Sequence, residues 1–327
     1  MWANLDSARA QMISAGLVLD RPLTVGRIIR CKVDDDREKR GWYHLGEFRT
    51  DTRDVLLVGA FGVWRGNENN AQKIELREDL IKLSAEQRDR MRMQLEIQQR
   101  QAEAEQSQRN ERAQVRGLRE WRAGMREGVS PYLSRKGVEP EGCRWRRDGA
   151  ILIPLLRYDL PREQSLMGLQ TILPDGKKLF TPGLAKRGAS LRLGLVEAGQ
   201  PIMVCEGYAT GLTLRMATDR RVPVFVALDA GNLAHVVEII QRLHAGSHIL
   251  ICADDDWKTD GNPGVTAARA IVNRSPGVHS IYPVFPRGER GRKETDFNDL
   301  HLRAGLTIVS DQLRAPLRHL SEAKRAA

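Results

Sequence analysis

Two short apolar runs in this chain end in acid. IMVC is followed by Glu206 and Gly207, and HILICA by Asp254, Asp255 and Asp256. In an extended segment, residues two apart project to the same side, so Asp254 and Asp256 converge while Asp255 faces away. If the two runs are neighbouring strands, Glu206 joins the pair. Three crowded carboxylates repel, and their ionised forms are favoured only beside a cation. Hard oxygen ligands suit Mg2+ or Mn2+, which keep several waters and bind substrate phosphate through their remaining positions. A lone acid at a strand end would merely cap a helix or solvate a turn. Glu-Gly together with Asp-x-Asp in one unit points instead to a metal centre. An EF-hand is excluded, because the fifth loop position from Asp254 is Lys258 and the twelfth is Val265.

Groups suited to phosphate lie nearby. Lys258 follows the acids closely. Asn262 then Pro263 reads as an N-cap with proline at the first helical position, a terminus that offers free N–H groups to an anion. ETDFNDLH supplies Asp296, Asn298 and Asp299, with Arg292 and Lys293 just before. These are either further metal or triphosphate contacts or the beginning of a surface helix. Basic residues also cluster earlier, at Arg144, Arg146 and Arg147 and again at Lys177, Lys178, Lys186 and Arg187.

Other chemistries find little support. G-x-x-x-x-G-K-[ST] is absent, so no P-loop motor is encoded, and no G-x-S-x-G elbow occurs. His235, His244 and His248 have no evident ligand partners and read as structural or exposed. Cys31, Cys143, Cys205 and Cys252 are far apart, with neither a zinc ribbon nor a disulfide framework in their spacing.

The acids need elements to position them. Over the last 130 or so residues, apolar runs (IMVCE, VPVFVALD, HILICADDD, HSIYPVF) alternate with helical patterns (TGLTLRMATD, NLAHVVEIIQRLH, NPGVTAARAIVNR). That alternation predicts right-handed crossovers and a parallel sheet with helices on both faces. Before it, ILIPLL reads as a buried strand, and SLMGLQTI and KLF flank Asp175-Gly176, a hairpin signal. From Ala71 to Arg116 neither Gly nor Pro occurs. Ser84 with Gln87 forms a capping box at the head of a long polar helix, which reads as a solvated spacer.

The first 83 residues read as a small β-rich unit built on TVGRIIRCKV, GWYHL and VLLVGAFGVW, with Gly66 among its punctuating glycines. Trp42, Tyr43, Phe48, Phe61 and Trp64 concentrate here, beside Arg37, Lys39 and Arg40. Trp42 and Trp64 are candidates for stacking on single-stranded bases. The alternative is that these aromatics form the core of a small domain.

Across 327 residues the formal net charge is +10, which favours a polyanionic partner over a neutral one. No apolar run approaches the roughly 18 residues of a spanning helix, and the N-terminus lacks a signal-peptide profile. A reduced, cytoplasmic protein with no membrane partner is expected.

VCEGYATG followed by ICADDD resembles the Toprim domain of primases, topoisomerases and related nucleases. SPYLSRKGV, RDGAILIPLL, MGLQTILPDGKKLFTPG, CEGYATGLTL and TDFNDLH extend the likeness from about Gly117 to Gly305. There the chain resembles the primases of phages, conjugative plasmids and integrative elements, narrowed by LQTILPDGKK and DFND. The resemblance implies a primase that makes short RNA primers on single-stranded DNA from NTPs. It implies Glu206, Asp254 and Asp256 as catalytic, metal-holding acids, with Asp296 or Asp299 as a later acidic motif. It also implies Lys178 as a nucleotide or template contact; Arg146, Lys186, Lys258 and Lys293, from the basic residues noted above, are further candidates. The zinc module of many relatives has no ligand set here, so Mg2+ or Mn2+ is expected and zinc is not. The expected architecture is α/β: residues 1–83 a β-rich domain, 84–127 a polar helical spacer, 128–199 a mixed α+β basic subdomain, and 200–327 a Toprim-type catalytic domain. With no motor encoded, a separate replicative helicase is expected as partner. The rivals are a Mg2+-dependent Toprim nuclease and a non-catalytic single-stranded-DNA-binding adaptor.

Overall fold

The computed structural model describes residues 2–34, 40–50, 53–65, 68–69, 71–76, 85–288 and 290–323, with the side chains of 64, 65, 68, 69, 98 and 323 outside that set. Two compact units are present, Met1–Glu105 and Gln106–Ala327.

In the first unit, α1 (Leu5–Ser14) packs on a six-stranded sheet. Its strands are β1 (Leu17–Val18), β2 (Ile28–Val33), β3 (Gly41–Arg49), β4 (Val55–Arg65), β5 (Glu68–Asn69) and β6 (Gln72–Lys73). The order is β1-β2-β3-β4-β5, with β6 also pairing β4. Alternation along β3 and β4 divides the apolar residues. Tyr43, Leu45, Leu57 and Phe61 join Ala8 and Met12 of α1 in one core. Phe48, Leu56 and Val58 face the other way, against Met91 and Leu95 of α2 (Ala85–Ala123). Tyr43, Phe48 and Phe61 are thus core residues, while Trp42 is half-buried. Arg37, Lys39, Gly66, Ser84 and the Trp64 side chain lie outside the described residues.

The polar composition of α2 suggested a solvated spacer, but apolar contacts hold it at both ends. Met91 and Leu95 pack within the first unit. In the second unit Ala113 is buried, and a Cβ on Gly117 would come within 2.8 Å of Gly168 Cα. The unit boundary falls inside this helix.

After the end of α2, the second unit continues with α3 (Pro131–Lys136), followed by β7 (Arg144–Trp145), β8 (Ile151–Leu156), β9 (Leu166–Ile172) and β10 (Lys178–Phe180). These strands form an antiparallel sheet in the order β10-β9-β8-β7. The β9–β10 turn closes as expected around Asp175 and Gly176, the latter at φ +94°.

The remaining elements are β11 (Leu191–Leu193), β12 (Ile202–Cys205), α4 (Tyr208–Ala217), β13 (Val224–Val226), α5 (Ala230–Leu243), β14 (Ile249–Cys252), α6 (Pro263–Val272), β15 (Val278–Ile281), α7 (Phe297–Ala304) and α8 (Leu306–Ala323). The strands form a five-stranded sheet in the order β11-β13-β12-β14-β15. Four are parallel; β11 adds an antiparallel edge that the sequence reading did not anticipate. Met203, Cys205, Val226 and Cys252 point to the core under α4, α7 and α8. Ile202, Val204, Phe225 and Ile251 point to the core under α5 and α6. Burial on both faces explains why these strands read as continuous apolar runs.

Candidate active site

The chain leaves β12 for β13 on one side, then crosses to β14 on the other. Such a reversal opens a crevice at the carboxyl ends of the strands, where ligands of parallel sheets bind. Cys205 and Cys252 face each other in register, so the acids that follow emerge side by side. Glu206 leaves the central strand, Asp254 leaves β14, and Asp229 leaves β13.

Asp255 faces away, as the two-residue period required. Its carboxylate accepts from Asn262 Nδ2 at 2.7 Å and from Arg290 Nη1 at 2.6 Å. Asn262 therefore does not cap α6 through its side chain. It stands at the N-cap of α6 with Pro263 at the first helical position, as the sequence suggested, but at φ +40° its side chain makes no capping bond and holds Asp255 instead.

The remaining acids share one electrostatic environment. Burial pushes the Glu206 carboxyl up to about 7, and the charges of Asp256 and Asp229 add to the shift. Burial raises Asp254 well above the ordinary carboxylate range, followed by Glu206, Asp296 and Asp256; Lys178 opposes it. Asp296 is raised by burial and then by Asp299. Glu206 Oε1 and Asp254 Oδ1 are buried without a hydrogen-bond partner. Two orphaned carboxyl oxygens among further acids fit a hard divalent cation, which would favour their ionised forms. Among the described residues, no three His, Cys, Asp or Glu side chains form a ready-made metal cage. A bound ion would therefore draw the acids closer or complete its shell with water, as Mg2+ does.

Asp296 and Asp299 are tied into the start of α7. Asp296 Oδ1 accepts from the Asp299 N–H at 2.8 Å, and its Oδ2 accepts from Thr210 Oγ1 at 3.1 Å. Asp299 Oδ2 accepts from the Thr295 N–H at 3.0 Å, and Lys136 Nζ donates to its Oδ1 at 3.4 Å. The two acids form a reciprocal capping box, and Asp296 alone of the two acts on Asp254. Asn298 lies in the first turn of α7, as one reading of the sequence had it, but not on its surface. It is fully buried and donates to Lys136 O at 2.7 Å and Thr213 Oγ1 at 3.0 Å.

The basic candidates divide. Lys178 stands close enough to lower Asp254, and it lines a cavity of 390 Å³ with Tyr132, Arg135, Lys136, Thr210 and Asp296. Lys186 forms an ion pair with Asp229. Arg146 is paired with Asp148 on an exposed turn. Lys258 lies 4.2 Å over the Trp257 ring, and Lys293 is exposed. Charge is partitioned between the units: residues 1–105 hold 18 Lys and Arg against 18 Asp and Glu, and residues 106–327 hold 34 against 24. The whole basic excess thus belongs to the unit that carries the acids.

Two participants escaped the sequence reading. Asp229 ends VPVFVAL as Glu206 ends IMVC, so the same rule would have found it. Lys136 shows itself only when α3 folds against α7.

Residues 201–306 match the Toprim domain family. The matched segment contains Glu206, Asp229, Asp254, Asp256, Asp296 and Asp299. Among solved structures, the chain is similar to the primase fragment of the bacteriophage T7 primase-helicase protein, at 18% identity over 57% of this chain and 70% of that one, with a TM-score of 0.38. It is also similar to a DnaG primase catalytic domain bound to ssDNA, at 14% identity over 66% and 82%, TM-score 0.41. A third is the RNA polymerase domain of Mycobacterium tuberculosis primase DnaG, at 18% identity over 60% and 63%, TM-score 0.34. Among the described residues, no helix is long and apolar enough to cross a membrane.

Proposed function

We propose that this chain is a DNA primase, a nucleotidyltransferase that makes short RNA primers on single-stranded DNA during phage or mobile-element replication. The observation that carries the reading is the pair of buried, unpartnered oxygens on Glu206 and Asp254 at the crevice of a Toprim-family segment. The LQTILPDGKK hairpin supports the narrowing from Toprim to primase, because it delivers Lys178 to the same acids.

Glu206, Asp254 and Asp256 would hold Mg2+ or Mn2+, with Asp296 adjacent. When bound, the ion supplies charge neutralisation at phosphate and lowers the pKa of a coordinated hydroxyl. The 3′-hydroxyl of one nucleotide attacks the α-phosphorus of the incoming NTP. The new O–P bond forms as the bond to pyrophosphate breaks. Lys178, Lys136 and Arg135 line the adjoining cavity and would take the negative triphosphate. Lys186, Lys258, Lys293 and Arg146 belong to the basic surface proposed to track the template, a binding mode weakened by salt. Trp42 and Trp64 of the near-neutral first unit are proposed as secondary template contacts. Unwinding is assigned to a separate helicase.

The test is incubation of the full chain with a mixed single-stranded DNA template, Mg2+ and labelled NTPs. Primers are expected from the wild type. Asp254→Asn and Asp256→Asn should abolish them and leave single-stranded DNA binding nearly intact. Full activity in both variants overturns the assignment. Shortening of an end-labelled template without NTPs establishes a nuclease instead.

A further inference from the structure

We infer that Asp255 and Arg290 are positioning residues that rivet the acid-bearing segment 254–256 to the segment 290–296 leading into Asp296. The inference rests on the metal-centre reading above.

The last bond of the sheet ladder here is the Ala253 N–H to Ile281 O, at 2.9 Å. Beyond it Asp254 and Asp256 stand on a connection outside the sheet, and Asp254 is repelled by Asp296 across the crevice. Asp255 counters that repulsion. Its N–H donates to Thr295 O at 2.8 Å, immediately before Asp296. Its carboxylate lies between Asn262 Nδ2 and Arg290 Nη1, at 2.7 and 2.6 Å. Arg290 Nη2 donates to the Asp255 carbonyl at 3.2 Å, and Nε donates to Glu294 O at 2.8 Å. The guanidinium also lies 4.2 Å over the Phe285 ring and 5.3 Å over the Trp257 ring. One planar cation thus grips backbone on both segments and lies against two aromatic rings.

The arrangement demands arginine. Lysine has no fork to reach two acceptors on one side and a third behind, and it stacks less well. The pair is largely shielded, at 18% side-chain exposure for Arg290 and 13% for Asp255, so water screens it less than a surface pair. Because Asp255 is held through both backbone and side chain, its neighbours Asp254 and Asp256 are fixed on either side of it. The middle acid of the triplet therefore serves the outer two without joining them.

The test uses the full chain without nucleotide. Mn2+ uptake is followed by electron paramagnetic resonance, and amide hydrogen exchange of segments 254–257 and 290–296 is followed in the metal-free protein. Arg290→Lys and Asp255→Ala are expected to weaken Mn2+ binding about tenfold or more. Both should speed exchange in the two segments with far-UV circular dichroism preserved. The double variant D255A/R290K should bind no worse than the weaker single one, because the two residues act as a unit. Wild-type binding and unchanged exchange in both single variants overturn the inference. If either single variant fails to fold, Asp255→Asn, which keeps the shape but sets an amide against Asn262, gives the same two readouts. If the wild type takes up no Mn2+ even with nucleotide added, the metal-centre reading fails, and the exchange data alone decide whether the rivet exists.

Discussion

A Cβ placed on Gly264 would stand 2.3 Å from the carbonyl oxygen of Asp254 and 3.1 Å from Glu206 Oε1. The first turn of α6 is thereby pressed against the acids. Its N-terminal dipole brings positive potential to carboxylates that otherwise see mostly one another. This contact gives Gly264 a steric role rather than a conformational one, since the facing atom is backbone and cannot swing aside.

Gly264→Ala must therefore displace either α6 or the 254–256 connection. Overpacking of this kind costs about 1–3 kcal/mol. Denaturant unfolding should show that loss, and Mn2+ uptake should fall with it. Wild-type values in both measurements would mean that the connection yields freely.

Glu206 should give the metal-free protein a distinctive pH dependence. Its carboxyl is raised from 4.5 to about 7 in the folded state. A group with a raised folded pKa contributes stability that is fully present below its unfolded value and is lost as pH rises through the folded one. The contribution from Glu206 thus falls between pH 4.5 and about 7. A divalent cation favours the carboxylate, so stabilisation by added Mg2+ should grow over the same interval and level off above it. Thermal melts across that range, with and without Mg2+, check both trends. Glu206→Gln should remove this portion of each.

The α/β alternation was legible because strands buried on both faces appear as unbroken apolar runs, and the acids were legible because they end those runs. Contacts between distant segments left no such trace. Arg290 lies in PRGERGRKE, which reads as a solvated basic loop, and its partner is Asp255, far back in sequence. Asn262 before a proline reads as a helix cap and stands in that place, but nothing local shows that its amide donates to Asp255 rather than capping the helix. Met91, Leu95 and Ala113 are too sparse in the polar background of α2 to reveal where it packs. Asp229 was legible by the same rule as Glu206; it also caps α5 by accepting from the Asn232 N–H at 3.1 Å, and only the fold shows that its charge acts on Glu206.

Asn298 joins three elements through one amide. Its Nδ2 serves the last carbonyl of α3 and the Thr213 hydroxyl on α4. Asn298→Ala leaves the Lys136 carbonyl short of its donor in a buried site, at a cost of about 1–3 kcal/mol. Chemical denaturation should show it. Asn298→Asp should be worse still, because it replaces the donor with a group that is either charged or must stay protonated next to two oxygens.

Lys178 should show opposite signs in two binding experiments. Its charge lowers the raised pKa of Asp254, so it already partly neutralises the carboxylates that a metal ion would need. Removing it in Lys178→Ala eliminates a cation competing for the same acids, and Mn2+ should bind more tightly in the absence of nucleotide. The same change takes a positive group from the cavity shared with Lys136 and Asp296, so NTP and single-stranded DNA should bind more weakly. If Lys178 contacts a template phosphate, the slope of log affinity against log salt should shrink by about 0.7 for a single strand. Paramagnetic titrations and oligonucleotide anisotropy at several salt concentrations measure the two effects separately. Weaker Mn2+ binding in the variant would show that Lys178 holds the acids in place rather than competing for them.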